Sequence, residues 1–395
     1  MFETLDALPA DPILGLSTAY KNDSRAKKID LGVGVFKDET GNTPIMRSVK
    51  EAEIIYLRGE TTKVYTPPAG YPGFINAVAN MVFGSEFEGL NQGKIAGVLT
   101  PGGSGALRLG GELITRRGAN RVFIGSPTWG NHIPLLKTAG LTIETMPYYD
   151  KDNVELLFDA FCDTLRTLGP EDTVLLHGAC HNPSGQDLSP GQWDIVADIA
   201  AERGFLPFID TAYHGLAKGI EEDLLPIRRL ASKVPEILLA YSCSKNFGLY
   251  RERTGAIMLL AKSNRDASAA QSHLENIARV TYSMPPAHGG ALVTTILESN
   301  ELTKLWHDEL NAMRDNVAGK RRQLDQCASA NGLGVSFNFI PTQNGMFSLL
   351  PIKPDQVETL KNDFGIYMTS GGRINICGFS AENMDHFCKA YKSVL

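Results

Sequence analysis

The chain lacks most of the devices that staple, export or anchor a small protein. Its six cysteines (162, 180, 243, 327, 377 and 388) contain no CxxC pair, so neither a zinc ribbon nor a redox motif is indicated. No apolar run approaches the roughly 18 residues that would suggest a membrane span. Basic residues are not in excess: 38 Lys and Arg against 44 Asp and Glu give a formal net charge of -6. That balance, with no basic cluster, argues against nucleic acid as a partner. The first twenty residues carry Asp6 and Asp11 and lack a basic stretch followed by an apolar one, so they do not read as a signal peptide. Scattered thiols in such a chain fit a reducing compartment, and the expectation is a soluble cytoplasmic protein. There is no internal repeat, low-complexity tract or linker.

What is present is an ordinary globular mixture, 43% hydrophobic and 21% charged. Its 395 residues suggest two to three domains at roughly 150 residues each. Between residues 95 and 262, short apolar strands alternate with amphipathic helical stretches. The strand candidates are Ile95–Leu99, Arg121–Ile124, Thr173–His177, Phe205–Ile209, Ile237–Tyr241 and Ala256–Ala261. The stretch Gln192–Arg203 puts Trp193, Val196 and Ile199 on one helical face and stops at Gly204. Such alternation predicts an α/β fold, a mostly parallel sheet with helices on both faces. Residues 301–330 form the longest helical pattern, closed by Gly332. Beyond it, strand-like Val335–Ile340, Met346–Leu350 and Arg373–Cys377 with two helical stretches predict a smaller α+β domain.

Several polar or glycine-rich segments follow strand ends, where open α/β sheets bind ligands. Thr100-Pro101-Gly102-Gly103-Ser104-Gly105 opens a helix whose free N–H groups would attract phosphate. It is neither a Walker A loop nor GxGxxG, because Arg108 holds the third glycine position. A tight strand-to-helix turn would use the same glycines. Ser242-Cys243-Ser244-Lys245, with Arg253 eight residues on, supplies hydroxyls and a guanidinium for a phosphate dianion. Its lysine is a Schiff-base nucleophile if the pKa is lowered; a solvated loop is the plain alternative. Asp210 ends an otherwise uncharged strand, with Tyr213 three residues on. It suits a protonated ring nitrogen or, equally, a helix N-cap.

His177, Cys180 and His181 raise the question of a metal, but Gly178 and Pro183 break any helix that could present HExxH spacing. No metal is expected. Asn182 can donate its amide to a ligand oxygen. Trp129 and His132, just past a strand, offer an indole to stack on a planar cofactor, or an ordinary core tryptophan. Arg373 in Gly371-Gly372-Arg373-Ile374-Asn375 can fork onto a substrate carboxylate, or face solvent. A phosphate cradle, a lysine, a ring-nitrogen carboxylate, a stacking ring and a carboxylate clamp are together what pyridoxal phosphate chemistry uses. A nicotinamide site would need neither the lysine nor the isolated Asp, and GxGxxG is missing.

With these segments in view, the sequence resembles the class I aminotransferases of the aspartate and aromatic amino acid subgroup, from Asp11 to the C-terminus. The segments that carry the resemblance include LGVGVFKDETGNTP from Leu31, TTKVY from Thr61, TPGGSGALR from Thr100 and SPTWGNH from Ser126. HNPSG from His181, DTAYHG from Asp210, SCSKNFGLYRERTG from Ser242, YSMPPAHG from Tyr282, NGMFS from Asn344 and GGRIN from Gly371 extend it. The resemblance implies a fold-type I homodimer with active sites shared at the dimer interface. It places a large domain at 44–312, a small domain at 12–43 and 313–395, and an arm, residues 1–11, on the partner subunit.

It also implies roles. Lys245 matches the lysine that bonds pyridoxal 5'-phosphate and shuttles the substrate proton. Asp210 matches the carboxylate at the pyridinium nitrogen, His132 that carboxylate's partner, and Tyr213 and Asn182 the groups on the ring's 3-oxygen. Trp129 matches the stacking residue. Gly103, Ser104, Ser242, Ser244 and Arg253 match the phosphate cup, with Tyr65 from the other subunit. Arg373, Gly34, Trp129 and Asn182 match contacts to the α-carboxylate, and Arg279 of the second subunit the arginine that receives a side-chain carboxylate.

Substrate choice is read from departures. Val64 and Met284 stand where the aspartate-specific pattern has Asn, and Ser104 where it has Thr, while Val35, Lys37 and Thr43 keep it. The pocket becomes roomier and less polar, which favours an aromatic ring. The resulting expectation is ping-pong exchange between aromatic amino acids (Tyr, Phe, Trp) or aspartate and 2-oxoglutarate, with Arg279 moving aside for rings. The alternatives are an aspartate aminotransferase with little aromatic activity and, from a different class, a non-catalytic binding protein on this fold. Ala179, Phe36, Thr211 and His214 also depart from the pattern and are expected to tune activity. Gly371-Gly372 are expected to loosen the strand that carries Arg373.

Overall fold

In the computed structural model, which describes residues 2–8 and 12–395, a seven-stranded sheet occupies the middle of the chain. Its strands are β1 (Ile95–Pro101), β2 (Arg121–Ser126), β3 (Thr142–Pro147), β4 (Asp172–His177), β5 (Leu206–Thr211), β6 (Ile237–Ser242) and β7 (Thr254–Leu260). Their order across the sheet is β1-β7-β6-β5-β4-β2-β3. Every pairing is parallel except those of β7, which runs antiparallel to both β1 and β6. β6 is buried along its whole length and β5 along all but its first residue, because helices cover both faces and no position can face water. The fold is the α/β architecture the alternation implied.

Helix α1 (Gly102–Arg116) follows β1 without a loop. Helix α2 (Pro190–Arg203) starts at a reciprocal cap between Ser189 and Gln192 and stops at Gly204 in the left-handed region, as its sequence announces. Helix α3 (Asn264–Thr281) is capped by Ser263. Helix α4 (Asn300–Ala330) is the longest, 31 residues. It buries Leu302, Trp306, Leu310, Val317 and Leu324 on one face. Trp306 stacks on Phe247 at 4.3 Å and donates from Nε1 to the Asn246 carbonyl at 2.7 Å, so α4 braces the turn that holds Lys245. Truncating Trp306 to alanine would cost about 3–5 kcal/mol, the usual loss for a buried aromatic.

The N-terminal stretch is tied to the C-terminal one. Ile29–Asp30 pairs in parallel with Ile366–Tyr367, and Asn375 donates to the Leu31 carbonyl. Phe347–Leu349 pairs antiparallel with Arg373–Asn375, which brings Arg373 towards the carboxyl edge of the large sheet.

Two sequence readings need correction, and one strand went unread. Val335–Ile340 is not a strand: Gly334–Phe337 makes a helical turn and Ile340–Thr342 a 3-10 turn. Pro341 has no N–H for a ladder, and Phe337 is sunk against Phe387 and Tyr391. Secondly, β3 was invisible because Thr142, Glu144 and Thr145 of this edge strand are exposed. Thirdly, Gly372 does not loosen its strand. Its φ is +89° and a Cβ there would lie 2.8 Å from the Leu350 carbonyl. It forms a fixed turn, donating to Thr369 and accepting from Leu350. Among the described residues no helix is long and apolar enough to cross a membrane.

Candidate active site

Strand register decides what meets at the sheet's carboxyl edge. Asp210 lies opposite His177, Thr211 opposite Tyr241, and Ser242 opposite Gly255. Above them opens a cavity of about 250 Å³. Twelve of the residues given a cofactor or substrate role from sequence line it: Gly34, Gly103, Ser104, Trp129, Asn182, Asp210, Tyr213, Ser242, Ser244, Lys245, Arg253 and Arg373. They come from separate stretches of the chain, including the N-terminal segment and the one after β4, and only the fold unites them.

Asp210 is buried at the cavity floor, with Oδ2 3.0 Å from His132 Nε2. Burial pushes its carboxyl pKa up, but the bond from His132, with the fields of His132 and Lys245 beside it, outweighs this, and the net direction is down. His132 is fully buried behind it, its Nδ1 2.7 Å from Thr128 Oγ1, which also lies 3.2 Å from His177 Nε2. Burial drives His177 down to about 3, so this ring is neutral at any ordinary pH. Trp129 meets His132 edge-on at 5.2 Å and presents a wall of the cavity.

Lys245 follows β6 in a turn closed by the Gly248 N–H on its carbonyl. Its Nζ sits 5.0 Å from the centre of the Tyr213 ring. Burial, offset by Asp210 and reinforced by Arg253 and Arg373, lowers its pKa to about 8. A neutral amine is therefore accessible near physiological pH, the condition for a lysine nucleophile or base. Burial raises the Tyr213 hydroxyl pKa, and that oxygen lies 3.5 Å from Asn182 Nδ2.

One end of the cavity is built for a dianion. The first turn of α1 contributes Gly103 and Ser104, with the N–H groups a helix leaves free at its start. Ser242, Ser244 and Arg253 face them. Gly102 takes φ +70°, a conformation that favours glycine, and its Cα lies so near the Arg253 guanidinium that a Cβ would sit 2.4 Å from Nη2. At the other end Arg373 donates to Asn182 Oδ1 at 3.2 Å and to the Gly32 carbonyl at 2.8 Å. Its Nε is buried with no partner among the described residues, and the guanidinium as a whole lines the cavity. Beneath it the Phe347 ring lies 4.4 Å away.

Two residues singled out from sequence are elsewhere. Tyr65 is 85% exposed and shares a separate surface depression with Val64, Tyr282, Ser283 and Met284. Arg279, at the last turn of α3, bonds to Ser283 beside that depression. Sequence reasoning in turn overlooked Phe347, Ala212, Thr128 and Ile13, and weighed His177 only as a metal ligand. Phe347 touches Arg373 and meets Tyr213 edge-on at 5.7 Å. Only its place in NGMFS hinted at this. Of the departures, His214 is buried and bonded to Tyr241 and Ile220, away from the cavity. No group of three or more metal-ligating side chains occurs among the described residues.

Residues 26–390 match the model of the family described as Aminotransferase class I and II. A tyrosine aminotransferase of Rhizobium meliloti (strain 1021) is 45% identical over 96% of each chain. An aspartate aminotransferase of Escherichia coli (strain K12) is 41% identical over the full length of both. Among solved structures, an aromatic-amino-acid aminotransferase from Burkholderia pseudomallei covalently bound to pyridoxal phosphate superposes with a TM-score of 0.96. It is 36% identical, covering 100% of this chain and 99% of that one.

Proposed function

Because the chain belongs to the class I and II aminotransferases, we propose that its cavity holds pyridoxal 5'-phosphate and exchanges amino groups between aromatic amino acids or aspartate and 2-oxoglutarate. The observation that carries this reading is the position of Lys245, its pKa lowered, in one cavity with the floor carboxylate of Asp210 and the clamp guanidinium of Arg373. The residues fit that cofactor. The α1 N-terminus, Ser242, Ser244 and Arg253 suit its phosphate, Asp210 its ring nitrogen, Trp129 its face, and Asn182 with Tyr213 its 3-oxygen.

When bound, pyridoxal phosphate supplies the electron sink that makes a substrate C–H acidic. The rest is work for the chain. Asp210, kept ionised by His132, holds a proton on the ring nitrogen. Arg373, steadied by Asn182, takes the α-carboxylate and so aims Cα at Lys245. Neutral Lys245 Nζ then takes the Cα proton. Tyr213 and Asn182 steady the adjacent oxygen, and the buried walls exclude water.

Tyr65 and Arg279 act in this reading on the cavity of a second copy of the chain. What supports a homodimer is their clustering on one exposed face with Val64 and Met284, together with exposed Phe2, Leu5 and Leu8 of the N-terminal arm. Part of that arm, 1–11, lies outside the described residues. We divide the subunit into a large domain, 44–312, and a small one, 12–43 with 313–395. All six cysteines are free, which suits a reducing, cytoplasmic setting.

The test is a half-reaction followed by absorbance. Aspartate, phenylalanine or tyrosine is added to the holoprotein without an oxo acid. Conversion of the pyridoxal form to the pyridoxamine form by all three is expected. Conversion by aspartate alone would leave an aspartate aminotransferase, and conversion by none would sink the enzyme reading.

A further inference from the structure

One buried cation plays no part in the chemistry above. Arg321, in the middle of α4, is 2% exposed, yet among the described residues it is bonded to carbonyls and a hydroxyl rather than paired with a carboxylate. Its Nε donates to Gly345 O at 3.2 Å. Nη1 donates to Ile340 O at 3.0 Å and Ser348 Oγ at 2.7 Å. Nη2 donates to Asn344 O at 3.1 Å, Gly345 O at 2.8 Å and Phe347 O at 2.6 Å. Burial pushes its pKa down to about 10, so the site disfavours the charge it holds. A charge kept there against desolvation is a structural commitment, and a planar fork with five donors is the one side chain that can gather so many carbonyls.

The gathered segment, 340–348, is joined to the substrate clamp at two points. Phe347, whose carbonyl Arg321 holds, lays its ring 4.4 Å under the Arg373 guanidinium. A Cβ on Gly34 would lie 2.9 Å from the same ring, so Phe347 fills the space between these two clamp residues. Asn344, whose carbonyl Arg321 also holds, donates from Nδ2 to Asp187 Oδ2 at 2.9 Å. Asp187 in turn accepts from the backbone of Cys180 and His181, the residues just before Asn182. The circuit closes where Arg373 donates to Asn182.

We infer that Arg321 is the positioning residue of the α-carboxylate clamp, setting Arg373 through the Phe347 ring and Asn182 through Asn344 and Asp187. It touches neither cofactor nor substrate. Arg373 comes from the C-terminal segment and Asn182 from the loop after β4. Arg321 fixes both from one point, so the two halves of the clamp keep a common register. The inference rests on the proposed clamp role of Arg373.

The experiment is a double-mutant cycle on the holoenzyme. Arg321→Lys keeps the charge but loses the fork. It should raise KM for aspartate, phenylalanine and 2-oxoglutarate alike, by about tenfold to a hundredfold as expected for a misplaced contact, with kcat changed much less. In the Arg373→Ala background the same substitution should have little further effect. Unchanged KM in Arg321→Lys, or an equal rise with and without Arg373, would overturn the inference. Should that variant fail to fold, Asn344→Ala decides: a smaller KM rise that vanishes without Arg373 supports the circuit, and an unaltered KM refutes it. Carboxylate binding unaffected by Arg373→Ala itself would instead remove the clamp reading on which the inference stands.

Discussion

His132 Nε2 lies 3.0 Å from Asp210 Oδ2, with His132 fully buried and Asp210 open only to the cavity it floors. The pair fixes the charge state of the cavity floor, because an imidazole N–H on a buried carboxylate keeps it ionised where burial alone would protonate it. The ring nitrogen of a bound cofactor would meet an anion. Asp210→Asn removes that anion with almost no change in shape. The expected outcome is a fall in kcat of about a hundredfold or more, the usual loss when a preorganised charge partner is deleted. Thermal stability should stay close to that of the wild type. Steady-state kinetics on the purified variant settles it, and near-normal turnover would remove Asp210 from the mechanism.

Lys245 yields a pH dependence with a definite sign. Burial lowers its pKa from the ordinary 10.5 to about 8, so deprotonation is completed at lower pH than for a surface lysine. At pH 7 the neutral fraction is about one in ten rather than about one in three thousand. The rate at which cofactor-free protein captures pyridoxal phosphate covalently should rise with pH and level off above about 8. A rate still climbing between about pH 9 and 10 would mean that the amine is not perturbed. Lys245→Ala should lose essentially all turnover while retaining the cofactor without a covalent bond.

Much of this site was legible because its residues sit where strands stop. The apolar runs ending at His177, Ile209 and Tyr241 announced three strands of the sheet, and Asn182, Asp210 and Lys245 follow on those ends. The phosphate end was legible too, since glycines between a strand and a helix have a restricted set of uses. What escaped notice lies in contacts made across long separations. Phe347 is an ordinary core aromatic until Arg373 is laid over it. Arg321 stands in an amphipathic helix, where a guanidinium is usually solvated, and only the fold buries it. Thr142–Pro147 was missed for the opposite reason: an edge strand with exposed side chains has no period to read.

Gly371 and Gly372 are adjacent but not equivalent. Gly372 adopts φ +89°, and a side chain there would press on the Leu350 carbonyl and on Ile352, each at 2.8 Å. A Cβ on Gly371 meets nothing within 4 Å. Gly372→Ser should therefore destabilise the protein by about 1–3 kcal/mol, the cost of holding a non-glycine residue in that region. Gly371→Ser should stay within about 0.5 kcal/mol of the wild type. Urea denaturation of the two variants makes the comparison, and equal midpoints would contradict it.

Substrate range is expected to depend on three positions that one subunit does not bring together. Ser104 lines the cavity, whereas Val64 and Met284 share the exposed depression near Arg279. If a second copy seats that face over the cavity, two apolar side chains and a short hydroxyl surround the incoming side chain. Replacing them with Val64→Asn, Ser104→Thr and Met284→Asn adds polar groups that a ring cannot satisfy and a carboxylate can. An unpaired polar group against an apolar ligand costs about 1–3 kcal/mol, so the ratio of kcat/KM for aspartate over phenylalanine should rise by about tenfold or more. Arg279 supplies the opposite control. Its removal should abolish aspartate and 2-oxoglutarate activity while leaving phenylalanine turnover in the half-reaction largely intact, because only the dicarboxylates need a second cation. Mixing Arg279→Ala with Lys245→Ala subunits separates the dimer from the alternative. Reassorted dimers place one wild-type Lys245 beside one wild-type Arg279, and aspartate activity returns in that site alone. If no activity returns although the subunits exchange, Arg279 serves its own chain's cavity and the shared-site arrangement is wrong.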